Sequence, residues 1–314
     1  MKVVVSIGGN ALGTTPEEQL TMLHEAMHPV ADLIADGHTV ALVHGNGPQV
    51  GSVNLAMEYT HRAGQPVPNM PLPECDAMTQ GYIGYHIQNV LGEELKARGI
   101  DRQPATVVTQ VLVSEEDPAF QNPTKPIGSF YTREESQLLA RDGYVFKEDA
   151  GRGYRRMVPS PKPRDIIEKD VILHLIDSGC QVIACGGGGI PVISKDGRLQ
   201  GVPAVIDKDY ASAALARLID ADALFLLTAV DQVSINWGTP EQRPLDRVDV
   251  STMEDYIAQE QFAPGSMLPK VEASIDFVRD DPKRRAIITS LSNLRAALRG
   301  EIGTEIRSSL PVRS

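Results

Sequence analysis

A chain of 314 residues is long enough to bury a large core, and 42% hydrophobic with 23% charged residues is the composition of a globular protein. A formal net charge of −11 and only 5% aromatic residues argue against a nucleic-acid partner, which needs a basic face to displace counterions and rings to stack on bases. Three cysteines, Cys75, Cys180 and Cys185, fit neither a disulfide framework nor a paired zinc site, and the Val3-Val4-Val5 run is too short for a signal peptide or a membrane span, so a cytoplasmic placement is expected.

Short β-branched runs then alternate with longer amphipathic stretches. The pattern predicts strands over 2–7, 39–43, 105–113, 181–185, 223–227 and 285–288. Helices are predicted between them over 17–35, 49–59, 74–98, 164–178, 210–219 and 267–279. Strand–helix alternation is the rhythm of an α/β protein, here a three-layer αβα sandwich around a mainly parallel sheet. Residues 114–163 break the rhythm with Asp117-Pro118, Asn122-Pro123, Lys125-Pro126, Gly151-Arg152-Gly153 and Pro159-Ser160-Pro161. A structureless loop of that length is improbable inside a compact domain, so a protruding arm of short hairpins is expected there.

Ligands of such sheets collect where strands end, and three predicted strands end in glycines: Gly8-Gly9-Asn10, His44-Gly45-Asn46-Gly47 and Gly186-Gly187-Gly188-Gly189. Glycine lets backbone N–H groups turn toward an anion, and a following helix N-terminus adds positive potential. One such loop reads equally as a tight turn or as an anion cradle; three in one sheet favour the cradle. Gly45, Gly47 and Gly51 are spaced one residue too widely for the dinucleotide fingerprint, and neither a Walker loop nor protein-kinase signatures occur. His44 reads as structural, because no second ligand stands near it at metal spacing. The basic run Arg152, Arg155, Arg156, Lys162 and Arg164 reads equally as a solvated face or as an attractor of anions.

The glycine loops, the arm strings Asn122-Pro123-Thr124-Lys125-Pro126-Ile127-Gly128 and Gly151-Arg152-Gly153-Tyr154-Arg155-Arg156, and the strings Val205-Ile206-Asp207-Lys208-Asp209 and Gly265-Ser266-Met267-Leu268-Pro269-Lys270 together resemble the carbamate kinases of the amino-acid-kinase superfamily over essentially the whole chain. The resemblance implies reversible transfer of a phosphoryl group between ATP plus carbamate and ADP plus carbamoyl phosphate, with Mg2+ accompanying the nucleotide and no protein metal site. The expected use is making ATP from carbamoyl phosphate in arginine or other nitrogen catabolism. The alternatives are another small-molecule kinase of the superfamily, or an idle sensor of nucleotide or carbamoyl phosphate.

By the same resemblance Lys125 reaches from the arm toward carbamoyl phosphate, Lys208 lies beside the transferring group, and Lys270 contacts the nucleotide phosphates. Asp209 and Asp207 orient these lysines. Gly8, Gly9, Asn10, Gly45 and Asn46 are expected to hold carbamoyl phosphate, and Asp231, Val233, Gly265, Ser266 and Met267 the nucleotide. A single amino-acid-kinase domain is expected over 1–314, with a carbamoyl-phosphate lobe over 1–178 that carries the arm, and a nucleotide lobe over 179–314. A homodimer is expected, without nucleic acid or membrane. Ser6 stands where the family more often has a small apolar residue, a difference expected to matter little.

Overall fold

A computed structural model describes residues 1–8, 12–13, 15–148 and 151–310. In chain order the elements are β1 (Lys2–Ile7), α1 (Pro16–Ala35), β2 (Thr39–His44), α2 (Gly47–Arg62), α3 (Leu72–Ala97), β3 (Pro104–Thr106) and β4 (Gln110–Leu112). The arm follows with β5 (Lys125–Tyr131), α4 (Arg133–Ala140), β6 (Val145–Glu148) and β7 (Tyr154–Val158). Then come β8 (Asp165–Ile166), α5 (Lys169–Asp177), β9 (Gln181–Ile183), β10 (Ile190–Lys195), β11 (Arg198–Gly201), α6 (Lys208–Leu218) and β12 (Ala223–Thr228). The chain closes with β13 (Ser234–Ile235), β14 (Arg243–Pro244), β15 (Arg247–Asp249), α7 (Val250–Ala258), α8 (Met267–Val278), β16 (Arg285–Ser290), α9 (Leu294–Leu298) and β17 (Thr304–Arg307).

The central sheet has eight strands in the order β15-β17-β16-β12-β1-β2-β9-β3, and every neighbour pair except β16 with β17 runs parallel. Its middle strands are apolar on both faces because helices cover both. Strand alternation sorts the side chains. Val3, Val5 and Ile7 of β1 join Leu23 and Met27 of α1 and Ile83 and Ile87 of α3 in one cluster. Val4 points the other way, into a second cluster with Ala211 and Leu215 of α6 and Val271 and Phe277 of α8. The α/β sandwich read from the pattern is therefore the architecture observed.

Two predicted elements divide. The run 105–113 leaves the central sheet after Thr106, because the side-chain amide of Gln80 captures Thr109: Thr109 N donates to Gln80 Oε1 at 2.7 Å, and Gln80 Nε2 donates to Thr109 O at 3.1 Å. β4 then joins a second sheet in the order β11-β10-β4-β8. The stretch predicted as a helix over 164–178 begins instead as β8, whose Ile166 pairs with Val111. Its helix starts only at Lys169, after the Glu168 carboxylate has accepted from Gln110 N at 2.7 Å and from Gln110 Nε2 at 2.8 Å.

The arm is a three-stranded antiparallel sheet, β5-β7-β6, with α4 carried on it, and α4 is a helix that the broken pattern hid. Its root is pinned to the body by two glycines. A Cβ on Gly51 of α2 would lie 2.1 Å from Gly128 Cα, so β5 and α2 touch backbone to backbone. Val50, Leu72, Cys75, Ile127, Val158 and Val205 pack into a small cluster beside that contact. This anchoring fixes where Lys125, the first residue of β5, can point.

Candidate active site

A cleft of about 570 Å³ opens where β1, β2 and β12 end, walled by Gly8, Gly45, Gly187 and Thr228. Three helices begin on it. Asn46, Asp207 and Ser266 are the residues preceding the first turns of α2, α6 and α8, and all three line the cleft. Unpaired N–H groups and helix dipoles therefore direct positive potential into one space.

The three sequence-predicted lysines meet here. Lys125 Nζ donates to Asp207 Oδ2 at 2.6 Å. The other oxygen of that carboxylate caps α6 by accepting from Asp209 N at 2.9 Å, so one aspartate ties the arm to a helix N-terminus. Lys208 Nζ donates to Asp209 Oδ1 at 2.5 Å, and Lys270 Nζ donates to Asp209 Oδ2 at 2.8 Å. Both lysines and Asp209 are at most about one-eighth exposed at their side chains. Lys125, Lys208 and Lys270 bring three cations to two carboxylates, a surplus that an anion entering the cleft would neutralise.

Burial pushes the Lys208 ammonium from its ordinary value of 10.5 down to about 8; Asp209 opposes the fall and Lys270 adds to it. Burial works against the Asp209 carboxylate too, but Lys208 and Lys270 outweigh it and hold its pKa well below the usual carboxylate range. Removing one member of such a buried set leaves an uncompensated charge, a loss of about 3–5 kcal/mol in comparable cases.

Beneath the glycine loops lies a second, uncharged layer. Asn46 Nδ2 donates to Asp76 Oδ1 at 2.8 Å and to Thr79 Oγ1 at 2.9 Å, which fixes the loop that follows β2 onto α3. Burial raises the Asp76 carboxyl to about 8 despite that donation from Asn46. His44 is fully buried, donates from Nδ1 to Gly45 O at 2.9 Å, and is pushed down to about 4 by burial. A neutral imidazole locked to its own loop matches the structural role expected from the sequence. Gly187, at φ +68°, lies against Asn46: a Cβ there would fall 2.2 Å from Asn46 Nδ2.

Gly8, Gly45, Asn46, Gly265 and Ser266 line the cleft as the sequence suggested. Gly9 and Asn10 lie outside the described residues. Asp231, Val233 and Met267 are not among the described residues on its wall. Asp231 accepts from Asn293 Nδ2 at 2.8 Å, Val233 is fully buried in the core, and Met267 packs against that core at the start of α8. Sequence reasoning passed over the Asp76 anchor and the contacts of Ser6, whose hydroxyl reaches both Lys208 and Asp209. Arg155, one of the basic run, also reaches the cleft and donates to Gly128 O at 3.0 Å.

Fold and cleft together define a small-molecule kinase: a parallel sheet, glycine loops at its strand ends, and lysines where phosphate would lie. The model of the amino acid kinase family matches residues 1–290. A carbamate kinase of Clostridium perfringens is 54% identical over 312 residues, covering 98% of this chain and 99% of the relative. Carbamate kinase 3 of Staphylococcus aureus is 52% identical over 310 residues, covering 98% of this chain and 99% of the relative. The solved carbamate kinase of Giardia lamblia bound to AMP-PNP superposes with a TM-score of 0.89 at 40% identity, covering 98% of each chain. The chain belongs to the amino acid kinase family and, within it, to the carbamate kinases.

Proposed function

We propose that this enzyme catalyses ATP + carbamate = ADP + carbamoyl phosphate, and that the observation carrying the proposal is the convergence of Lys125, Lys208 and Lys270 on Asp207 and Asp209 in one cleft. Phosphoryl transfer asks a protein to align donor and acceptor oxygens and to neutralise charge on the moving group. Carbamate is already an anion, so its oxygen attacks the γ-phosphorus without a general base while the bond to the β-phosphate bridging oxygen breaks. No proton moves.

Each group then has a task. Lys125 holds the carbamoyl phosphate side, Lys208 lies against the transferring phosphoryl, and Lys270 with the α8 N-terminus at Gly265 and Ser266 holds the nucleotide phosphates. The backbone around Gly8, Gly45 and Asn46 receives the carbamoyl phosphate oxygens. Asp207 and Asp209 keep the ammonium groups aimed. The described residues contain no cluster of three or more His, Cys, Asp or Glu able to cage a metal, and Asp207 and Asp209 are already engaged by lysines. Magnesium is proposed to enter on the nucleotide phosphates as part of the substrate.

A carbamoyl-phosphate lobe over 1–178 and a nucleotide lobe over 179–314 are part of the same proposal, supported by Gly8, Gly45 and Asn46 lining the cleft from the first and Gly265, Ser266 and Lys270 from the second. A homodimer, a cytoplasmic location and a role in making ATP from carbamoyl phosphate during arginine or other nitrogen catabolism are the further parts of the proposal. Among the described residues no helix is long and apolar enough to cross a membrane. The test is ATP formation from magnesium-ADP with carbamoyl phosphate, run beside acetylglutamyl phosphate and UDP as competing phosphoryl donors. Rapid formation of ATP with carbamoyl phosphate alone is expected; preference for another donor would move the enzyme to that branch of the family, and silence in protein that binds nucleotide would identify a sensor.

A further inference from the structure

The face of β1 that carries Val4 into an apolar cluster carries Ser6 two residues later, fully buried. An apolar residue is the default at such a position. Ser6 instead accepts from Lys208 Nζ at 3.0 Å and donates to Asp209 Oδ1 at 3.3 Å, and it does not reach the cleft wall. A hydroxyl makes both bonds at once because it is donor and acceptor together.

An ammonium has three N–H bonds, and on Lys208 two are committed, one to Asp209 and one to Ser6. With one bond committed the ammonium still pivots about that N–H···O direction; with two it has a single orientation. We infer that Ser6 is a positioning residue for phosphoryl transfer, its hydroxyl locking the Lys208 ammonium so that the third N–H faces the cleft where the phosphoryl group moves. This inference rests on the kinase reading above. It differs from a packing role, because alanine would fill the same space in the core.

The prediction concerns rate rather than binding. An interaction that aims a charge only at the moving group lowers kcat when removed and leaves ground-state binding alone. Ser6→Ala is expected to melt within about 2 °C of wild type, since surface and volume change little. Its kcat is expected to fall about tenfold, the value of one hydrogen bond to a charged group, with KM for ADP and the phosphoryl donor within about twofold.

A double-mutant cycle with Lys208→Met separates positioning from packing. In the Lys208→Met background, Ser6→Ala is expected to change the residual rate less than about twofold, since there is no ammonium left to aim. An unchanged kcat in Ser6→Ala, or an equal loss with and without Lys208, overturns the inference. The cycle is run with whichever phosphoryl donor the wild type accepts, so a wild type that refuses carbamoyl phosphate defeats the carbamate assignment without deciding the role of Ser6.

Discussion

Lys208 gives the sharpest test of the electrostatics, because burial has brought its titration from 10.5 to about 8, within reach of an ordinary pH profile. A group that titrates near 8 goes from about nine-tenths protonated at pH 7 to about one-tenth at pH 9, so kcat/KM is expected to fall about tenfold across that step. Bound phosphates favour the ammonium, so the alkaline limb of kcat is expected at higher pH than the limb of kcat/KM. The assay is the initial rate of ATP formation from magnesium-ADP and carbamoyl phosphate between pH 6.5 and about 9.5, in wild type and in Lys208→Arg. A guanidinium keeps its charge, so the variant is expected to be slower but to lack the limb. Unfolding does not imitate this result. A lysine whose folded pKa is depressed binds fewer protons in the native state between about 8 and 10.5, so its contribution to stability rises with pH in that window. A kcat/KM that stays flat through pH 9, or a limb that survives in Lys208→Arg, refutes the reasoning.

Three other perturbations follow from the same geometry. Lys270→Ala removes the proposed contact with the nucleotide phosphates and strands half of the Asp209 carboxylate, so both ADP affinity, read by calorimetry, and kcat are expected to fall. Gly187→Ala places a methyl group 2.2 Å from Asn46 Nδ2 at φ +68°; a loss of about 2 kcal/mol in denaturant melts, together with a fall in kcat/KM, is expected as the loop after β2 shifts. Asp76 binds a proton in the native state that the unfolded chain lacks between 3.8 and about 8, so it makes stability decline as pH rises through that range. Asp76→Asn is expected to flatten the decline in melting temperature between pH 5 and 8, and parallel curves for the two proteins would contradict the assignment.

The middle of the fold was legible because β1, β2, β12 and β16 are buried on both faces and read as unbroken apolar runs. What escaped was short or held from a distance. The break between β3 and β4 is made by Gln80, about 30 residues earlier in the chain, and no local pattern announces it. β8 shows no period at two residues, and α4 was masked by the prolines and glycines around it. In the site, the lysines were visible only through strings resembling a known family; each alone would read as a surface cation. The Asn46–Asp76 contact and the Ser6–Lys208 contact span 30 and 202 positions, so only the folded chain brings them together.

Central to the proposed function is that the arm delivers Lys125 to the same reaction as Lys208 and Lys270. The direct test is Lys125→Ala, with kcat taken from ATP formation and the dissociation constant of ADP taken by calorimetry on the same protein. A fall in kcat of about a hundredfold or more, with ADP affinity within about threefold of wild type, is the expected result. An unchanged kcat, or a loss of ADP affinity as large as the loss of rate, would contradict it.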